Sequence, residues 1–112
     1  REWAANAENW DDLPAALADL VLHYLGPARA RTVVEHELYI AALHRPTLRA
    51  VSTEWDDELV DLFTSCTDPV TGRMLSALFC GLLLQGVVRN SVPSRDDIEM
   101  IFRSALEGSR NS

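Results

Sequence analysis

The stretch TDPVTGRMLSALFCGLLLQGVV, residues 67–88, decides the fold. Asp68 followed by Pro69 marks a helix start: the short carboxylate can accept from first-turn amides, and proline fits where its missing N–H costs nothing. From there to about Val88 the chain reads as one helix whose apolar side chains point all round, leaving no face for water. Such a helix must be covered on both sides. Its most apolar run, residues 74–88, is shorter than the roughly 20 residues of a bilayer span and carries Gln85, so the expected cover is protein and no membrane segment is predicted.

Four further helices supply that cover. Residues 12–25 repeat Leu13, Leu17, Leu20 and Tyr24 at spacings of three and four, with Asp11 or Asp12 as cap, Pro14 in the first turn and Gly26-Pro27 as the stop. Residues 28–44 end before Pro46, which pushes its predecessor out of α geometry. On a wheel their apolar face holds Ala30, Val33, Val34, Leu38, Ile40 and Ala41, with Glu37 near its centre and His44 close by. Residues 46–66 place Leu48, Val51, Trp55, Leu59, Leu62, Phe63 and Cys66 on one side and Glu54, Asp57, Glu58 and Asp61 on the remainder. A capping box over Ser94–Asp97 opens the last helix, where Ile98, Ile101, Phe102, Ala105 and Leu106 form a stripe and Gly108 ends it. No strand is visible. The class is all-α, a single five-helix bundle-like domain over residues 1–112, with 109–112 as a frayed tail.

Four short neighbours cannot easily enclose the central helix. The economical solution is a homodimer in which the last two helices meet their symmetry mates as a four-helix bundle. The interface residues expected there are Ala77, Gly81, Leu84 and Val88 of the fourth helix and Ile98, Ile101, Phe102 and Ala105 of the fifth. Ala77 and Gly81, four apart, would allow close approach; packing inside one protomer is the alternative.

Composition excludes several functions. The 112 residues include 10 Arg and no Lys against 17 Asp plus Glu, a formal charge of −7. Phosphate contacts supply most non-specific nucleic-acid affinity, so an acidic chain of this kind does not hold DNA or RNA by itself. With 47% of residues apolar, a folded core is expected. Cys66 and Cys80 have neither metal nor disulfide-framework spacing and read as small hydrophobes in a reduced, cytoplasmic setting. No secretory leader pattern opens the chain.

Catalytic signatures are missing. His36-Glu37 starts like the zinc motif HExxH, but Ile40 stands at the second histidine position. Asp56, Asp57 and Asp61 have the wrong spacing for the aspartate-rich motif of prenyl-chain enzymes and read as a solvated face. There is no nucleophile elbow and no Gly-rich phosphate loop. No enzyme, metal or cofactor is expected. The unusual groups are Glu37, a carboxylate costly to bury unless paired, and the aromatics Tyr24, Trp55 and Phe79, which could wall a ligand cavity as well as fill a core. His36 and Tyr39 lie off the apolar face and are not counted among the candidates.

The residues VVEHELYIAALHRPTLR (33–49), then Glu54-Trp55, and ALFCGLLLQ (77–85) resemble the C-terminal domain of TetR-family transcriptional regulators, and the resemblance spans about residues 12–106. The junction Arg45-Pro46-x-Leu48-Arg49 is its most telling piece. Cys80 departs from the Asp that many relatives carry before the Gly. The resemblance implies an effector-binding and dimerisation half, with the last two helices as dimer bundle and the first four around a small-molecule pocket, for which the residues themselves offer Tyr24, Glu37, Trp55 and Phe79 as ligand-binding candidates. It implies a one-component regulator, most simply a repressor, that touches DNA only through an N-terminal helix-turn-helix absent from this chain; residues 1–11 would end the connecting helix or form a tail. The alternative is a structural helical dimerisation or protein-interaction module without a ligand.

Overall fold

The computed structural model describes residues 13–110, of which the side chains of 109 and 110 are left aside. The order is α1 (Leu13–Leu25), α2 (Arg29–Ala42), α3 (Pro46–Cys66), α4 (Pro69–Arg89) and α5 (Arg95–Arg110), with no strand among the described residues. Residues 1–11, expected as the end of a connecting helix or a tail, and residues 111–112 of the expected frayed tail lie outside this range.

Helix ends follow local chemistry. Asp68 accepts from the Thr71 amide at 2.9 Å and from its hydroxyl at 2.9 Å, and Pro69 opens the first turn. Those hydrogen bonds hold the Asp68 carboxyl below its ordinary pKa. Arg45 is extended before Pro46, which starts α3. Ser94 Oγ accepts from the Asp97 amide at 3.1 Å, and Asp96 and Asp97 complement the positive end of α5. Gly108 does not stop that helix, which continues to Arg110.

The C-terminus of α4 is closed by Asn90 in the left-handed conformation (φ 50°), an asparagine tolerance that few residues share. Ser91 donates to the Gly86 carbonyl at 3.1 Å and Asn90 to Val87 at 3.2 Å, the paired bonds of a Schellman cap. Arg29, in the first turn of α2, donates to the carbonyls of Leu25 (3.2 Å) and Gly86 (3.0 Å) and to Asn90 Oδ1 (3.1 Å). One guanidinium therefore joins the ends of α1, α2 and α4.

Helix α4 packs against all four other helices. By length and composition it could cross a membrane; the run of residues 74–88, short on its own, belongs to a 21-residue helix. Here it is the central helix of a bundle. Leu75, Phe79, Leu82 and Leu83 join Leu13, Leu17, Val21 and Leu25 of α1, Phe63 of α3, and Ile98, Phe102 and Leu106 of α5. This core is aliphatic and aromatic and includes no residue of α2.

Two expectations change. Ile98 and Phe102 are fully buried in this core, on the side of α5 that packs against α1, so they are covered within the protomer and not presented to a partner. The apolar face of α2 is only partly covered: Val34 is 54% and Ile40 61% exposed, with Glu37 exposed beside them, while Val33, Leu38 and Ala41 are half-buried. Inward go Thr32 and Ala42, both buried, because Thr32 Oγ1 donates to the Tyr24 carbonyl at 2.7 Å and fixes the rotation of α2 against the end of α1. Helix α4, which its four short neighbours were not expected to enclose, keeps one side open. Val70, Ala77, Leu84 and Val88 are exposed and Met74 and Gly81 half-buried, a 4-3 alternation of the heptad kind.

Two glycines of α4 have opposite surroundings. A Cβ on Gly72 would lie 2.6 Å from the Thr64 amide nitrogen and 2.7 Å from Thr64 Cα, so α3 and α4 touch backbone to backbone there. A Cβ on Gly81 would meet nothing within 4 Å. Gly72→Ala is expected to lower unfolding free energy by about 1–3 kcal/mol through overpacking. Gly81→Ala is expected to cost the protomer nothing and to gain up to about 0.8 kcal/mol of helix propensity. Denaturant unfolding of the two variants checks the contrast.

Candidate functional site

The side chains singled out from the sequence separate into three places. Tyr24 and Phe79 meet edge-on, centroids 6.0 Å apart, and Phe79 meets Phe63 in the same way at 5.9 Å. Phe79 is buried, so this trio extends the core. Trp55 lies elsewhere, edge-on to Tyr39 with centroids 6.3 Å apart and planes at 87°. Glu37 joins neither group: it sits on the outward face of α2, and no buried carboxylate has to be compensated.

The second group is the more functional in character. It forms where α2, α3 and α4 pack against one another. From α2 come Tyr39, half-buried, and His36, whose ring meets Tyr39 at 6.2 Å and whose Nδ1 donates to the Thr32 carbonyl at 2.9 Å. Helix α3 contributes Trp55, 37% exposed, with Asp56 beside it and buried Ser52 one turn before. From α4 come Cys80, half-buried, and buried Ser76, joined by a hydrogen bond. The aliphatic core holds one kind of surface; this junction holds rings, hydroxyls, a thiol and a carboxylate.

Burial, then the charges of Cys80, Asp56 and Glu35, push the Tyr39 phenol up to about 12. Burial, then Asp56, pushes the Cys80 thiol up, partly opposed by the Ser76 hydrogen bond. Both groups are therefore protonated at neutral pH: Tyr39 is a hydrogen-bond donor, and Cys80 a thiol rather than a reactive thiolate. Asp56 is in none of the ion pairs Arg31–Glu35, Arg95–Asp19, Arg95–Glu99 and Arg103–Glu99. No His, Cys, Asp and Glu group able to hold a metal occurs among them either. The junction can bind through rings, donors and a carboxylate; it does not pair a nucleophile with a base.

Sequence reasoning missed Tyr39, His36, Ser52, Asp56 and Ser76. The signal was present as Thr32, His36 and Tyr39, four and three apart on α2, a stripe that a search for apolar residues passes over. Asp56, assigned by that search to the solvated face, remains exposed yet acts on both Tyr39 and Cys80.

A family model described as the tetracycline repressor-like C-terminal domain matches residues 9–108. The chain belongs to that family. Neither the curated proteins nor the solved structures give a further match. In this tetracycline repressor-like domain, the matched span runs through the described helices almost to the end of α5, so the polar junction and the open side of α4 both lie inside it. The family is one of regulator domains, not of catalysts.

The shifted phenol gives a pH test. The folded pKa of Tyr39 is raised above the ordinary 10, so its stabilising contribution is complete below pH 10 and lost as pH rises to about 12. Stability measured by denaturant unfolding is expected to fall across that window and to fall less steeply in Tyr39→Phe.

Proposed function

We propose that the chain is the effector-sensing and dimerisation half of a one-component, cytoplasmic transcriptional regulator, most simply a repressor, with a small molecule seated at the α2–α3–α4 junction. The supporting observation is a pair of adjacencies on α4. Ser76 and Cys80 belong to the junction, while the next residue of each, Ala77 and Gly81, belongs to the open side of the same helix. A ligand that displaces or rotates α4 at the junction displaces the open side with it.

The open side is the proposed dimer surface: Ala77, Gly81, Leu84 and Val88 of α4, with Ile101 and Ala105 of α5. Val88 is 74% exposed in the protomer, a poor solvent position for so apolar a row and a good one for a bundle partner. Of the ligand-binding residues expected from sequence, Trp55 stays in this proposal as a wall of the junction, with Tyr39 added. Tyr24 and Phe79 support it from the core side, and Glu37 faces away.

DNA is reached only through a separate helix-turn-helix half. Paired reading heads bind half-sites about one helical turn apart, so a change of dimer geometry changes operator affinity. The coupling is reciprocal: operator binding weakens effector binding by the same factor.

Two measurements test this reading. Sedimentation is expected to show a dimer at micromolar concentration, and Leu84→Arg to weaken association roughly 30-fold or more with helical content unchanged; a wild-type monomer contradicts the dimer. A thermal-shift screen of small molecules is expected to find stabilising compounds whose effect is lost in Trp55→Leu. No shift with any compound leaves the purely structural dimerisation module as the function.

A further inference from the structure

Resting on the reading of the α2–α3–α4 junction as an effector site, we infer the chemical class of its ligand: an organic cation, an amine or quaternary ammonium carried on an apolar body.

Three observations point the same way. The first is the pair of rings. Tyr39 and Trp55 meet at 87°, an edge-on contact that occupies one ring face, and Trp55 remains 37% exposed. Indole is the best ring partner for a cation, and an ammonium within about 6 Å of its centroid is attracted by the ring quadrupole. The second is Asp56, a solvent-accessible carboxylate that is in none of the arginine ion pairs of the described residues. It follows Trp55 directly on α3, and after burial its charge adds to the raised pKa of Tyr39 on α2 and of Cys80 on α4.

The third is that no hydrogen bond or ion pair of an arginine reaches Tyr39, Trp55, Asp56 or Cys80 among the described residues; the basic side chain at the junction is the His36 imidazole, beside Tyr39. Arg29 is bound at the far ends of α1 and α4, to Leu25, Gly86 and Asn90. Arg31 is held by Glu35 at 2.9 Å on the surface of α2, and Arg49 donates to the Leu43 carbonyl. Burial and Cys80 raise the Tyr39 pKa most, and the acids Asp56 and Glu35 add to the rise.

An anion at this place would meet the Asp56 carboxylate, which is in none of the arginine ion pairs of the described residues. A neutral molecule would gain burial against the rings and leave Asp56 unused. A cation gains both the ring face and the carboxylate, and the chain's net charge of −7 favours its approach.

The test uses the whole chain with Trp3→Phe and Trp10→Phe, so that Trp55 alone reports by fluorescence. The probes are benzyltrimethylammonium, benzyl alcohol and benzoate, one ring with a positive, neutral or negative head. The cation is expected to quench Trp55 and raise the melting temperature, benzyl alcohol to bind roughly tenfold more weakly, and benzoate to give no response. Asp56→Asn is expected to weaken the cation about tenfold and leave benzyl alcohol unchanged, with circular dichroism confirming the fold; tenfold corresponds to the about 1.4 kcal/mol expected of a ring-and-carboxylate site. Benzyl alcohol or benzoate binding as tightly as the cation, or unchanged cation affinity in Asp56→Asn, overturns the cation assignment while the effector site stands. Silence toward all three probes, together with an empty thermal-shift screen, overturns the effector site itself.

Discussion

The structure depends on one constraint: α4 is apolar on every side and has only four short helices to cover it. Those helices suffice for most of its circumference, and all four touch it. The coverage is fixed at both ends. Near its start, Gly72 lets the backbone of α4 rest on Thr64 of α3. At its finish, the Arg29 guanidinium binds the last carbonyls of α1 and α4 and the Asn90 side chain. Helix C-termini carry partial negative charge and unsatisfied carbonyls, so one cation between two of them satisfies acceptors and dipoles together. What the neighbours leave uncovered is the row from Val70 to Val88.

Around α4 the protomer divides into two kinds of interior. Helices α1 and α5 and the last part of α3 pack Leu, Ile, Val and Phe side chains against it, and this half supplies the hydrophobic stability. On the other side, α2 and the first part of α3 carry buried Thr32 and Ser52 and the Tyr39–Trp55 ring pair, and α4 carries Ser76 and Cys80. Buried hydroxyls add little net stability even when satisfied, and no buried side-chain nitrogen or oxygen lacks a partner among the described residues. This half of the domain contributes little to the aliphatic core and holds rings, donors and a carboxylate. The proposal places sensing there and dimerisation on the open row, with α4 common to both.

Much of the fold was legible because it rests on local chemistry. Pro46 and the Asp68-Pro69 pair set the boundaries of α3 and α4, and Ser94 capped α5 as its sequence indicates. The rotation of α2 was not legible. Its apolar row of Val34, Ile40 and Ala41 is real, but periodicity records only that a face is apolar, not which neighbour lies across from it. The deciding bond, Thr32 to the Tyr24 carbonyl, is made by a polar residue eight positions from its partner. For the same reason Ile98 and Phe102 were assigned to the partner and not to α1: a stripe on α5 does not state whether it is covered from within the chain or from outside. The candidate site was legible in its single Trp55 and not in its company, because Tyr39 and Asp56 gain meaning only once α2, α3 and α4 converge.

The central claim is that α4 carries the state of the junction to the dimer face. The measurement that tests it most directly is the dimer dissociation constant of this chain, by analytical ultracentrifugation, with and without a compound that stabilises it through Trp55. Coupling through a shared helix predicts a ligand-dependent change of about 5-fold or more, within the usual 1–3 kcal/mol of linked sites. An identical dissociation constant at saturating ligand would contradict the account, since the two sides of α4 would then be independent.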